Sequence, residues 1–299
     1  MILLNDLGSN SIPLILTSPP YFLCRDYGNG ALGREANPLD YVKNMLLWTK
    51  QLKRVLAKEG SFYFNIGDVY FGTKGFIRNK GQYARKTDIH YKEHKIVKPD
   101  GAYLQYKQSL MLPERIAIGM QEQGWILRNK IIWEKPNPVP SYSPDRRYPV
   151  YEHIFHFVKS RKYYFDLVKA KELGHHRDVI KCGIEPFGKH QASFPVSLLL
   201  PFIETTSKIG DLVLDPFMGS GSVAIAALMK GRRYLGFEIN PEFCILAEER
   251  IKTQKVFLSH NKTSLYKSYL RAIGAFGYLV APTLPICIIG LWRGSSAWL

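Results

Sequence analysis

The sequence predicts an α/β fold, a doubly wound and mostly parallel sheet covered by helices on both faces. Three observations predict it. Short apolar runs of strand length alternate with stretches of helical periodicity. The apolar residues within those runs are bunched rather than alternating, as strands buried on both faces require. A glycine turn joins one such run to a helix, the arrangement in which these sheets hold ligands at their strand ends.

Each element can be justified in order. "PLILT" at 13–17 reads as a short buried strand, bounded by Pro13 and by the proline pair of "TSPPY". Two prolines behind a serine continue neither a strand nor an ordinary helix, so Ser18-Pro19-Pro20-Tyr21 forms a stiff corner. From Leu39 to Ala57, Tyr41, Met45, Trp48, Leu52, Val55 and Leu56 recur at helical spacing, with Gly60 expected to end the helix. "SFYFNIGD" follows as a strand. Residues 72–107 show no period and carry Lys74, Arg78, Lys80, Arg85 and Lys86 among tyrosines, the mark of a basic insertion that orders on a partner.

Pro113 to Gln121 reads as a short helix, and "ILRNKIIWE" at 126–134 and "EHIFHFVKS" at 152–160 as strands. A helix over 195–206 opens at Pro195 and leads to strand "DLVLD" at 211–215. The glycine turn, a helix from about Ser222 to Lys230, strand "RYLGFEI" at 233–239 and a helix from Pro241 follow. The boundaries are one domain over 1–255: a half made of 13–71 and 108–165 together, which carries the corner, the 72–107 insertion between its parts, a small segment at 166–189, and a second half at 190–255, which carries the glycine turn. Residues 256–299 form an atypical apolar tail. Ala272 to Trp292 lacks charge but is broken by glycines and prolines, so a membrane span is not expected.

Composition narrows the partners. Of 299 residues, 46% are hydrophobic and 22% charged, an ordinary globular balance. The 41 lysines and arginines against 25 acids leave a net charge of +16, which points to a polyanion, most commonly nucleic acid. Four scattered cysteines form no CxxC pair, so neither a metal site nor a disulfide framework is expected and a reducing cytoplasm is the default location. Cys24, close to the corner, reads as a small packed thiol rather than a nucleophile.

The stretch "LVLDPFMGSGSVAIAALMKGRRYLGFEIN" carries the ligand chemistry. A strand ends in Asp215, the Gly219-Ser220-Gly221 turn opens a helix, and the next strand ends in Glu238, placed to bind ribose hydroxyls. A dinucleotide remains an alternative, since Ala224 can stand for the third glycine, and with it a nicotinamide-dependent oxidoreductase. Asp215 and Phe217 suit a ligand with an ammonium and a sulfonium centre better, which describes S-adenosylmethionine.

"TSPPY", "DPFMGSGSVAIAA" and "GFEIN", with "GWILRNKIIWEKPNPVP", "YEHIFHFVKSRKYYFD" and "HQASFP", together resemble the DNA amino-methyltransferases of the β group, over roughly 13–255. The resemblance implies the Rossmann-like methyltransferase sheet in a permuted order, the corner preceding the cofactor turn. It implies methyl transfer from S-adenosylmethionine to the exocyclic amine of a base flipped from double-stranded DNA, in a restriction-modification setting with a cognate endonuclease as functional partner. Ser18 and the Pro19 carbonyl would accept from the amine, held there by Pro20, and Tyr21 would stack on the base. Asp215, Phe217, Gly219, Ser220 and Gly221 would line the methionine end, Glu238 the ribose and Ile239 the adenine, with Phe194 and Pro195 closing over the methionine. Arg25, the insertion's lysines and arginines, and Arg177 would meet DNA. A serine at the first corner position resembles the cytosine-N4 enzymes more than the adenine-N6 enzymes. Only "MILLNDLGSNSI" precedes the corner strand, where the family carries an adenine-contacting acid. Adenine-N6 methylation and a catalytically impaired DNA-binding fragment therefore stand as the alternatives.

Overall fold

The structure is a computed structural model and describes residues 2–24, 32–71, 100–138, 143–185, 194–260 and 287–290. Its elements are α1 (Ile2–Asn5), β1 (Ile12–Thr17), α2 (Pro38–Val55), β2 (Leu56–Ile66), α3 (Leu112–Glu122), β3 (Ile126–Glu134) and β4 (Tyr151–Val158). They continue with α4 (Leu167–Glu172), β5 (Val179–Lys181), α5 (Val196–Thr206), β6 (Leu212–Asp215), α6 (Ser222–Met229), β7 (Arg233–Glu238), α7 (Pro241–His260) and β8 (Cys287–Gly290). One sheet runs in the order β5-β3-β4-β2-β1-β6-β7-β8. β1 lies parallel to both β2 and β6, β6 is parallel to β7, and β3 to β5, whereas β4 runs antiparallel to β2 and β3 and β8 antiparallel to β7.

Side-chain alternation sorts the strands onto two cores. Ile15, Phe62, Phe64, Leu212 and Leu214 pack with α1, α2 and α3 on one face. Leu14, Leu16, Tyr63 and Val213 pack with α5, α6 and α7 on the other. Because both faces are covered, β1 and β6 are buried along almost their whole length. The helix α6, buried from Ser222 to Leu228, is small-residued and apolar all round because it is wedged against its neighbours.

Local chemistry sets the ends of the helices that frame the strand tips. Asn37 caps α2 by accepting from the Leu39 amide at 2.8 Å, with Pro38 opening the first turn and Lys53 and Arg54 closing the last. Asp68, just past β2, accepts from the amides of Met111 (3.0 Å) and Leu112 (3.0 Å), which starts α3.

The helix end at Gly60 is a correction. The helix stops at Val55, and Gly60 lies inside β2. A Cβ at Gly60 would stand 2.7 Å from the Pro13 carbonyl, so this glycine lets β2 approach β1 where three extra residues shift the register.

Backbone bonds from Phe71 to Gln108, Lys107 to Phe71 and Leu110 to Val69 join the two ends of the basic insertion at the sheet. Its residues 72–99 lie outside the described ones, as does most of the tail, whose residues 287–290 add a strand to the β7 edge. Among the described residues no helix is long and apolar enough to cross a membrane.

Candidate active site

Parallel pairing of β1 with β6 sends the corner and the glycine turn out of the same edge of the sheet. At that edge the two are joined directly: Thr17 Oγ1 donates to Asp215 Oδ1 at 2.6 Å, both groups being buried. The corner that sequence places near residue 18 and the turn it places near residue 219 therefore share one site.

On the corner side, Tyr21 leans across the end of β2, where a Cβ on Gly67 would lie 2.9 Å from its ring. Its hydroxyl donates to Glu152 Oε2 at 2.6 Å, stands 3.1 Å from Asn65 Oδ1, and lies 3.4 Å from Ser18 Oγ. Burial, together with the Glu152 charge, raises the Tyr21 phenol well above its ordinary value, so it stays protonated. Glu152 in turn pairs with Lys135 and accepts from Asn65 Nδ2 at 3.2 Å. The antiparallel course of β4 is what brings its first residues to the edge where β1 and β2 end. From α2, Tyr41 Oη donates to the Pro20 carbonyl at 2.9 Å, and Gly33, at φ +90°, returns the loop so closely that a Cβ would meet the Tyr21 carbonyl at 3.0 Å.

On the turn side, Asp215 is 3% exposed and accepts from Thr17 and from the Phe217 amide (3.0 Å), both on Oδ1, so Oδ2 is the oxygen left for a cation. Burial pushes its carboxyl up to about 7, against those two bonds and aided by the Glu238 charge. Glu238 accepts from the amides of Gly219 (2.7 Å), Ile239 (2.9 Å) and Asn240 (2.8 Å), and burial likewise raises it. Gly221 caps α6 at φ +83°, where a side chain would be crowded as well as strained, since a Cβ would meet Ala247 Cβ at 3.1 Å. Arg250 of α7 holds the Ser220 carbonyl at 2.6 Å and its hydroxyl at 2.8 Å. Phe217 packs on Trp48 of α2 with ring centroids 4.9 Å apart.

Asp215 Oδ2, which no bond among the described residues occupies, and the Phe217 ring near it fit the ammonium and sulfonium of S-adenosylmethionine. Ile239 stands just past β7 and is 40% exposed.

Other expected residues fall less centrally. Phe194 and Pro195 stand at the start of α5, Phe194 6.2 Å from Trp133. Arg177 is exposed in the loop before β5. Arg25, Lys74, Arg78, Lys80, Arg85 and Lys86 lie outside the described residues. Cys24 is a correction: instead of packing it is exposed, because a turn from Tyr21 carries it outward. Thr17, Asn65, Lys135, Glu152 and Arg250 are not foreseen from sequence, and Tyr41 is foreseen only as a core residue. "YEHIFHF" is the sole signal that could have pointed to Glu152.

A family model described as DNA methylase matches residues 12–249. The chain belongs to the N6/N4 DNA methylase family. Its relatives include the type II methyltransferases M.XycI of Xanthomonas campestris pv. cyanopsidis and M.Cfr9I of Citrobacter freundii. Each is 36% identical, the first over 85% of this chain and 86% of its own, the second over 83% and 84%. Among solved structures, TTHA0409 of Thermus thermophilus, complexed with S-adenosyl-L-methionine, is 25% identical with a TM-score of 0.60 over 85% of this chain and 90% of its own. The cytosine-N4-specific PvuII DNA methyltransferase shares the fold at 22% identity, TM-score 0.63, over 84% of this methylase and 87% of its own chain.

Proposed function

We propose that this methylase transfers a methyl group from S-adenosyl-L-methionine to the N4 amine of a cytosine turned out of double-stranded DNA. The observation that carries the reading is the Thr17–Asp215 hydrogen bond, which ties the amine-binding corner to the cofactor turn at one sheet edge. Ser18, uncharged at the first corner position, supports cytosine over adenine through its resemblance to the cytosine-N4 enzymes.

Asp215 Oδ2 would pair with the cofactor's ammonium, the Gly219–Gly221 turn would face its carboxylate, and Glu238 would take the ribose. When bound, S-adenosyl-L-methionine supplies a methyl group activated on a sulfonium. The chain's own part is orientation. Ser18 Oγ and the Pro19 carbonyl accept from the amine and draw its lone pair out of conjugation with the ring. Prolines fix φ at 19 and 20, and Tyr41 occupies the Pro20 carbonyl, so the acceptors stand ready before the base arrives. The ring of Tyr21, anchored through its hydroxyl, presents a fixed face for stacking. Lysines and arginines of 72–99, with Arg25 and Arg177, would supply phosphate contacts and a salt-dependent affinity. The type II relatives support a restriction-modification role, in which a cognate endonuclease would be the functional partner.

Incubation with methyl-labelled S-adenosyl-L-methionine and mixed-sequence duplex DNA, followed by nucleoside analysis, tests the reading. Labelled N4-methylcytosine is expected. N6-methyladenine would overturn the choice of base, and DNA binding without any labelled nucleoside would overturn the transfer itself.

A further inference from the structure

The methyl-transfer reading leaves one proton to be placed, and the corner contains a row of groups able to take it. The amine lone pair takes up the methyl carbon as the carbon–sulfur bond breaks, its electron pair leaving with sulfur. The nitrogen then carries four bonds and a positive charge, and must shed one of its two original protons.

We propose that Glu152 is the terminus of a proton route from that amine, reached through Ser18 and Tyr21. Ser18 Oγ accepts the proton while passing its own to Tyr21 Oη, and Tyr21 passes its own to the Glu152 carboxylate. Glu152 ends neutral and the serine and phenol end as they began, so the charge created at nitrogen is cancelled at the carboxylate. Glu152, 18% exposed, then returns its proton to solvent.

Three features carry the proposal. The hydroxyls are already directed outward: Ser18 donates to Tyr21, and Tyr21 makes its shortest bond, 2.6 Å, to Glu152. The Ser18–Tyr21 step, 3.4 Å, is the long one, as such bonds are before substrate closes the site. Second, the groups around Glu152 hold its Oε2 in place against the Tyr21 hydroxyl. Lys135, just past the end of β3, pairs with the other oxygen, Oε1, and Asn65 from β2 donates to Oε2 at 3.2 Å. Lys135 is itself steadied over the Trp133 ring at 4.5 Å. Third, among the described residues Glu152 is the acid that the Tyr21 hydroxyl reaches, while Asp215 and Glu238 serve the turn, Asp68 starts α3, and Glu35 accepts from the Gly33 amide. Glu152 touches no substrate; it acts through Tyr21, and is a positioning residue and proton sink.

The test is a double-mutant cycle on full-length protein. Glu152→Gln keeps the shape but cannot accept a proton, and Tyr21→Phe keeps the ring and the Glu152–Lys135 pair while removing the link. Each is expected to lower kcat by roughly 100-fold with the dissociation constant for S-adenosyl-L-methionine within about twofold of wild type, an allowance small beside the expected loss of rate. The double variant is expected to be no slower than the worse single. Glu152→Asp should recover part of the rate. Wild-type kcat in either single variant overturns the route, and so does a double variant whose loss is the product of the two singles, as independent structural damage would give. Wild-type protein that transfers no methyl would instead overturn the reading on which the route rests, so the two failures are distinguishable.

Discussion

The proline corner and the glycine turn emerge side by side from neighbouring strands, yet they are fixed by opposite means. The corner is cross-linked by side chains from distant elements. Tyr21 reaches Glu152 across 131 positions of sequence, and Tyr41 reaches Pro20 from α2. The turn is fixed largely within one stretch of chain: amides of Gly219, Ile239 and Asn240 converge on the Glu238 side chain, Gly221 occupies a left-handed conformation against α7, and Arg250 reaches in from α7 to Ser220. A stretch set mostly by its own residue order leaves few positions free to vary, whereas a corner trimmed by distant side chains can be changed one contact at a time.

The largest effect should follow from attacking the turn's backbone. Gly221→Val places a β-branched residue at φ +83° and drives its Cβ against Ala247, 3.1 Å from a Cβ even in alanine. Left-handed strain of about 1–2 kcal/mol and crowding of about 1–3 kcal/mol together give a loss near 3 kcal/mol, read from the urea midpoint. A loss below about 1 kcal/mol, the size of an average substitution, would mean that the turn is not held by its main chain.

Next is a pH effect confined to the turn. Burial raises Asp215 to about 7 from an ordinary 3.8, so the folded protein holds that proton more tightly than the unfolded chain does. Its contribution to stability is full below the ordinary value and fades as pH rises through about 7. Binding of the cofactor's ammonium has the opposite slope, because only the carboxylate pairs with it. The dissociation constant for S-adenosyl-L-methionine should fall about tenfold per pH unit approaching 7 and then level off, a profile that Asp215→Asn flattens. Titration calorimetry across that range decides it, and a flat wild-type profile would remove the ammonium assignment.

This division also explains what could be read from the sequence. Asp215, the glycines and Glu238 lie in one continuous stretch whose strand, turn and strand are set locally, so their geometry follows from residue order. The corner's prolines were legible for the same reason. Its supports were not: Asn65 and Glu152 meet only because β4 runs antiparallel beside β2, and no periodicity announces that pairing. Gly60 misled in the same way, since its need comes from the Pro13 carbonyl of a neighbouring strand rather than from the helix before it. Thr17 was hidden as the last residue of an apolar run, although its hydroxyl joins the two halves of the site.

The smallest effect sharpens the comparison most, because it touches the corner alone. Tyr41 is fully buried, packs on Phe22 at 5.5 Å, and spends its hydroxyl on the Pro20 carbonyl. Tyr41→Phe keeps the ring and removes one hydrogen bond, for a stability loss of about 1 kcal/mol. The unpartnered carbonyl is then freer to turn, and the adjacent Pro19 carbonyl with it, so kcat should fall by a few fold. S-adenosyl-L-methionine affinity should stay at the wild-type value, since nothing in the turn rests on Tyr41. Parallel losses in kcat and affinity would show that strain at the corner travels through Thr17 into Asp215, and that the two ends of the site are one mechanical unit rather than two.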